Sequence, residues 1–241
     1  MRKFLLSFTI ALIISSCASV PKQSFNSAAN SNINNIAVIL PPAIEEVSVR
    51  MEAHPGESFG LIGGLAAIAD MAKKTNDYNH ALESDKIDWS SFAQQQLIEE
   101  LQKVGYKVTS TTIRNKGDTN FDYLKNYPTN ASDALLDFKF ILLQRAAGAT
   151  TGYVPTVELL VRLVGMKDKK IIYEEAFIFG LTTRYELDHG YVSLPAKLEY
   201  KDIDELVAGS QASSSELKRG ISQIAQHIAH DLKKQTGGEK N

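Results

Sequence analysis

The chain of 241 residues contains one cysteine, Cys17. A single cysteine cannot form a disulfide within the chain, and it cannot supply a cysteine-based metal site. An excess of basic charge is also absent, because 26 Lys and Arg residues stand against 28 Asp and Glu residues. Nucleic-acid-binding proteins usually carry a basic footprint, so we expect no nucleic acid among the partners.

Motifs that mark common enzymes are missing as well. The glycines at 60–64 lack the Gly-Lys-Ser/Thr ending of a phosphate loop and do not directly follow a strand, so we expect no nucleotide. His227 and His230 have metal-pair spacing but no third ligand nearby, which favours solvated side chains. Asp188 and His189 are adjacent, and neighbours cannot face each other as a catalytic relay requires. These observations predict a protein that is not an enzyme and binds no cofactor or metal.

The first seventeen residues have the layout of a secretory signal. Arg2 and Lys3 are followed by an apolar stretch over 4–14, which is too short to span a bilayer. Ser15 and Ser16 then precede Cys17, and this ending resembles the lipobox of bacterial lipoproteins. The resemblance implies that Cys17 is diacylated on its thiol, becomes the first residue after cleavage behind Ser16, and is then acylated again on its new amine. An ordinary cleaved signal with a chance cysteine is the alternative.

The residue after the cysteine indicates a location. Ala18 is not aspartate, which in Gram-negative bacteria resembles the pattern of lipoproteins passed on to the outer membrane. The expected location is therefore the outer membrane, with a lipid anchor and the body in the periplasm. Two or more acyl chains are enough for stable attachment.

Domain boundaries follow from composition. Residues 1–16 form the predicted signal peptide, and 17–34, rich in Ser, Asn, Gln and Ala, form the lipidated cysteine and a flexible tether. The seventeen residues after Cys17 would reach roughly 20–25 Å as a flexible coil. A single domain is predicted over 35–236, and a disordered tail over 237–241.

Hydrophobic periodicity predicts an α/β (α+β) fold with one mixed sheet of four to five strands flanked by helices. Capping signals at Asp88 or Ser91 begin an amphipathic helix that Gly105 ends, and the last helix, from Ser213, is also amphipathic. The predicted strands are 36–40, 106–113, 135–146, 153–164 and 170–181, the last two forming an antiparallel hairpin.

A glycine-rich helical insertion is predicted near 56–86. Gly60 with Gly64, and Gly63 with Ala67, have small-xxx-small spacing, which allows another element to approach the helix closely. That element is another part of the same chain, a partner protein or a second copy of this chain.

Three charged residues are expected to share one face of the sheet. Glu158 and Arg162 lie four apart on one predicted strand, and Arg145 on the preceding strand could join them. A second acid for paired-carboxylate chemistry is not evident, so this pattern favours a ladder of ion pairs on a solvated face.

The strand 36–40 ends in Pro41-Pro42, and the amphipathic helix ends in Leu-Gln-Lys-Val-Gly-Tyr-Lys-Val over 101–108. Together with the lipobox, these segments resemble a group of bacterial envelope lipoproteins. The group includes the curli secretion channel CsgG, the penicillin-binding-protein activator LpoB and the amino-terminal domain of TolB. The resemblance covers 36–179 and implies a fold and an envelope location. It transfers no activity to any residue.

Two functions of different classes remain. The first is a membrane-anchored binding or assembly module without enzymatic activity, which presents the sheet or the glycine-rich helix to a cell-envelope protein. The second is a subunit of an oligomeric CsgG-like outer-membrane export channel. Either function requires the lipid anchor and a protein partner or self-association.

Overall fold

A computed structural model describes residues 20–83, 86–113, 123–129 and 131–233. The strands of the described residues are β1 Asn35–Ile39, β2 Ser48–Ala53, β3 Lys107–Thr111, β4 Ala134–Gly148, β5 Val154–Gly165, β6 Ile171–Phe179 and β7 Val192–Leu194. The α-helices are α1 Gly60–Leu82, α2 Trp89–Lys103, α3 Arg184–Asp188, α4 Ile203–Ala208 and α5 Ser210–Asp231. A short 3-10 helix, Pro55–Phe59, precedes α1 directly.

One mixed sheet joins all seven strands, in the order β3-β1-β4-β5-β6-β7, with β2 also paired to β4. The long strands β4, β5 and β6 are antiparallel to one another. Both β1 and β2 run parallel to β4, β1 beside its beginning and β2 beside its end. The α/β fold with a C-terminal amphipathic helix is therefore confirmed.

The hydrophobic core lies between one face of this sheet and the helices. Alternate side chains of β4 join a single cluster of buried residues with the apolar stripes of α2 and α5. The α5 stripe is buried as its helical spacing predicts: Leu217, Ile221, Ile224, Ile228 and Leu232. The removal of these apolar side chains from water is the main stabilising contribution to the fold.

Local signals placed the second helix correctly. The Asp88 carboxylate accepts a hydrogen bond from the Ser91 backbone N–H (2.9 Å) and so caps α2. Gly105 follows the helix with a φ of 98°, which glycine adopts without strain. Such caps depend on neighbours in the sequence, so they could be predicted without knowledge of the tertiary structure.

The strand number differs from the prediction, because the described residues form seven strands and four to five were expected. β2 alternates polar and apolar residues too briefly for a clear period, and β7 has only three residues. β2 pairs with β4 and β7 pairs with β6. These pairings depend on residues far apart in the chain, so the local sequence pattern does not predict them. The region near 56–86 is correspondingly integrated into the fold, since α1 extends to Leu82 and packs on β2 and α5.

The predicted tether also differs from the structure, in its described part. Gln23 pairs through its backbone with Glu174 at the edge of β6, and Lys22 forms an ion pair with Glu175 (2.8 Å). Phe25 packs against the core and Ile33 is buried. The described part of the predicted tether is therefore attached to the domain at several points, and the estimate of a 20–25 Å reach for a free coil of seventeen residues does not apply to it. The predicted signal peptide (1–16) and tail (237–241) lie outside the described residues.

Candidate functional site

The predicted site residues fall into two sets. Ser16 and Cys17 lie outside the described residues. Gly60, Gly63, Gly64 and Ala67 lie in the first half of α1, where two of them face inward and two face outward.

Gly63 and Ala67 are the inward pair. A Cβ at Gly63 would collide with the carbonyl oxygen of Gly56 and would lie 2.6 Å from the Phe59 Cβ. Ala67 is buried, close to Gly56 on the same side. The close contact predicted from small residues therefore exists within the chain, between α1 and the 3-10 helix.

Gly60 and Gly64 are the outward pair. A Cβ at either glycine would meet no atom within 4 Å. Gly60 has a φ of 66°, which suits the turn from the 3-10 helix into α1 and gives this glycine a conformational role. Gly64 has no packing role among the described residues.

Large apolar side chains share this outward surface, which we name the α1 apolar face. Its members are between 60% and 83% exposed: Phe59, Leu61, Ile62, Leu65 and Ile68. No charged residue occurs over 58–69. Monomeric soluble proteins rarely expose a contiguous apolar patch of several hundred Å² unless it binds something.

The remainder of α1 is fastened to the sheet. The backbone N–H groups of Val47 and Val49 donate to the Asn79 Oδ1 and the Thr75 Oγ1, each at 2.9 Å. The buried Tyr78 hydroxyl lies 2.9 Å from the Gln144 Nε2. These contacts attach the second half of α1 to β2, to the residue before it and to β4.

The turn before α1 is held by a charged group. The His54 Nδ1 accepts from the Gly56 N–H (3.0 Å), so its Nε2 carries the proton that points to the Asp70 carboxylate (3.2 Å). Lys74 also binds Asp70, at 2.7 Å. Burial alone would raise the pKa of Asp70, but hydrogen bonds from Lys74 and His54 lower it overall.

A second charged cluster occupies the opposite face of the sheet. The Arg145 side chain, only 5% exposed, binds three carboxylates: Glu52 at 2.6 Å, Glu158 at 3.1 Å and Glu186 at 2.7 Å. These acids come from β2, β5 and α3. The guanidinium therefore joins four elements, counting its own strand.

The carboxylates of this cluster have different pKa directions. Burial raises the pKa of Glu158 above its usual value despite the Arg145 charge. Burial acts to raise that of Glu186 too, but hydrogen bonds from Thr183 and Arg145 lower it overall. Since both acids bind the same buried arginine, the arrangement suits an anchoring role better than proton transfer to a substrate.

The charge pattern on the sheet was predicted in part. Glu158 and Arg145 do pair, but Arg162 binds Glu174 (2.6 Å). Sequence reasoning missed Glu52 and Glu186 because they lie on elements that were not predicted. His227 and His230 are exposed on α5, and the His189 ring stacks on Tyr185 at 3.9 Å between centroids.

The α1 apolar face was missed for a different reason. Leu61, Leu65 and Ile68 have helical spacing, which ordinarily indicates a buried stripe. Here the stripe of small residues is buried instead. The sequence did contain a usable signal, because a stripe of glycine and alanine fits only a very close contact and so leaves the large side chains on the outside.

No helix of the described residues is long and apolar enough to cross a membrane.

No family model matches the chain, and no curated protein matches it. Solved structures show distant likeness. A DUF330 protein from Xanthomonas campestris is 11% identical, with 87% of this chain and 84% of that chain covered and a TM-score of 0.39. The PelC dodecamer from Paraburkholderia phytofirmans is 10% identical, with 90% of this chain and 99% of that chain covered and a TM-score of 0.36. A hypothetical protein from Chlamydia trachomatis is 10% identical, with 83% of this chain and 98% of that chain covered and a TM-score of 0.37.

Proposed function

We propose that this protein is a lipid-anchored binding module of the bacterial cell envelope, without enzymatic activity, that docks a partner protein on the α1 apolar face. The anchor is Cys17, after removal of residues 1–16. The body lies in the periplasm at the outer membrane. The observation that carries the proposal is the exposure of five large apolar side chains, four in the first half of α1 and one at the end of the preceding 3-10 helix: Leu61, Ile62, Leu65, Ile68 and Phe59.

The energetic cost of this exposure supports a binding role. Burying a Leu or Ile side chain contributes roughly 1.5–3 kcal/mol relative to leaving it in water. Nothing in the described chain covers these five side chains, although the domain has a large core in which such residues could be buried. A partner that covers them would recover that free energy, and central apolar anchors are the residues that usually dominate protein interfaces.

Charge favours a protein over a lipid surface as the occupant of this face. Helices that lie in a membrane interface usually place Lys and Arg beside the apolar side. Over 55–69 the only charged residue is Glu57, which is acidic. The nearest lysines, Lys73 and Lys74, bind Asp77 and Asp70. We therefore propose a partner that presents an uncharged apolar surface of its own.

Photo-crosslinking in intact cells tests the docking surface. A photoreactive residue at Leu61 or Leu65 is compared with one at Asn76, an exposed polar position on the same helix. We expect Leu61 and Leu65 to give one identified envelope protein that Asn76 does not give. The additional substitution Ile68→Ser should weaken that crosslink, because it removes apolar area from the same face.

Other outcomes would change the identity of the docked molecule. Crosslinks from Leu61 to phospholipid alone would refute protein docking, and so would a pattern identical to that from Asn76. Crosslinks to a second copy of this chain would replace a foreign partner with self-association and would favour the export-channel alternative.

A further inference from the structure

The first described residues lie beside a particular surface of the domain. The Val20 N–H donates to the His189 carbonyl (3.3 Å), just after α3. The next residues continue along the edge of β6, where Gln23 and Glu174 exchange backbone hydrogen bonds of 2.8 and 2.9 Å. The Lys22–Glu175 ion pair holds the same segment. The described chain therefore begins at α3 and does not extend freely away from the domain.

Only a short span remains between Val20 and the predicted lipid. Cys17 lies three residues before Val20, and three extended residues span at most about 10–11 Å. Acyl chains on Cys17 would consequently hold the α3 end of the domain close to the lipid headgroups.

The surface of α3 at this position is suited to a membrane. Glu186 points inward to Arg145, whereas Tyr185 and Leu187 on either side of it are 63% and 56% exposed. Tyrosine is enriched at membrane–water interfaces because its ring is apolar and its hydroxyl can stay hydrated. The charges of Arg184 and Asp188 pair with each other at 3.4 Å, so α3 adds no unpaired acid that anionic lipid would repel.

We propose that the exposed side of α3, with Tyr185 and Leu187, lies against the phospholipid bilayer and sets the orientation of the domain. This inference rests on the lipidation of Cys17 in the proposed function. It goes further by assigning a membrane-contact surface and by replacing a freely floating body with one held at a defined side.

The orientation of α1 then follows from the sheet. Adjacent residues of a strand point to opposite faces. Gln144 contacts Tyr78 of α1, whereas Arg145 contacts Glu186 of α3. The two helices thus lie on opposite faces of the sheet, and a membrane at α3 leaves α1 on the side away from lipid. The α1 apolar face would be presented to a partner in the periplasm.

Depth-dependent fluorescence quenching tests the proposal on the full lipidated protein. Because lipid blocks the Cys17 thiol, one added cysteine can be labelled in each variant, Leu187→Cys, Tyr185→Cys or the control Asn76→Cys on α1. The proteins are reconstituted in vesicles of phosphatidylethanolamine and phosphatidylglycerol that contain nitroxide-labelled phospholipid. We expect several-fold stronger quenching at positions 185 and 187 than at position 76. Both test positions are exposed, so these substitutions should not disturb folding.

Two kinds of failure are distinguishable. Equal quenching at all three positions, in protein whose intact mass shows lipid on Cys17, would overturn the orientation and leave the proposed function standing. An intact mass without lipid on Cys17 would overturn both. Stronger quenching at an additional probe, Leu61→Cys, than at Leu187→Cys would reverse the orientation.

Discussion

At the scale of single residues, adjacent glycines of α1 have opposite environments. Gly63 faces the 3-10 helix, where its missing side chain permits contact with the Gly56 backbone, whereas Gly64 faces open space. A glycine inside a helix costs roughly 0.5–1 kcal/mol relative to alanine. At Gly63 the close contact with Gly56, which any side chain would prevent, offsets this cost. At Gly64 the described residues offer no contact that would offset it.

This difference gives a matched pair of substitutions. Gly63→Ala should lower the free energy of unfolding by about 1–3 kcal/mol, because the new methyl group overlaps the Gly56 carbonyl and the backbone must move. Gly64→Ala should raise it by up to about 1 kcal/mol through higher helix propensity. Urea unfolding of both variants measures these changes. Equal effects of the two substitutions would contradict the assignment of inward and outward positions.

At the scale of elements, α1 is amphipathic in an unusual sense, with small residues toward the domain and large apolar residues toward solvent. Gly63 and Ala67 bring the helix close to Pro55–Phe59. In the second half of the helix, Thr75 binds Val49 of β2 and Asn79 binds Val47 just before that strand. The helix is thus attached to the domain at both ends, and an apolar surface that is already held in place loses less conformational entropy when a partner docks.

Another junction between elements depends on charge. Glu216 of α5 accepts from the Lys197 backbone N–H at 2.5 Å and binds the Arg219 guanidinium at 2.6 and 2.8 Å. It thereby ties the segment after β7 to the last helix. The hydrogen bond from Arg219, more than any other contact, lowers the pKa of Glu216.

The stability of this junction should depend on pH. Because the folded-state pKa of Glu216 is lowered, its contribution is present above the unfolded-state value, about 4.3, and is lost as pH falls through the folded-state value. Glu216→Gln should therefore reduce the free energy of unfolding by about 1–3 kcal/mol near pH 7 and by less in acid. Urea unfolding near pH 7 and in acid, with the substitution Glu57→Gln at an exposed position as control, measures the difference. A loss that does not shrink in acid would show that the carboxylate charge is not responsible.

At the scale of the whole molecule, we propose a domain that faces the membrane with α3 and exposes the α1 apolar face to a partner on the opposite side. The described chain begins at Val20 beside α3, and the α1 apolar face lies across the sheet from α3. The resemblance to the CsgG, LpoB and TolB group remains a prediction, as does the location at the outer membrane.

Substitution of the anchor tests this arrangement as a whole. Cys17→Ser should leave the protein unlipidated, because serine has no thiol for the acyl group, and the variant should be lost from the outer-membrane fraction. Fractionation of cells measures this, with Ser19→Ala as a control beside the anchor. Continued recovery of Cys17→Ser with the outer membrane would contradict lipid anchoring.

Light scattering on the wild-type protein in mild detergent adds the molar mass of the assembly. A closed ring of many subunits would favour the export-channel alternative. A monomer or dimer would count against that alternative and leave the binding module.

The candidate site could be predicted only in part. The spacing of Gly60, Gly63, Gly64 and Ala67 predicted a helix with a close contact made by small residues, and α1 has such a contact. It did not identify which pair makes the contact, because both pairs have the same spacing. The choice depends on where Gly56 lies, and that position comes from the preceding turn and from β2.

Features that depend on neighbouring residues could be predicted from the amino-acid order alone: the cap at Asp88, the stop at Gly105, the buried stripe of α5 and the mixed α/β class. Long-range features came from tertiary contacts: the joining of β2 and β7 to the sheet, the binding of three distant carboxylates by Arg145, and the pairing of Gln23 with the edge of β6. The two groups of features differ in how far apart along the chain the interacting residues lie. Caps and helical periods act over a few residues, whereas strand pairing, buried ion pairs and edge docking join residues far apart in the chain.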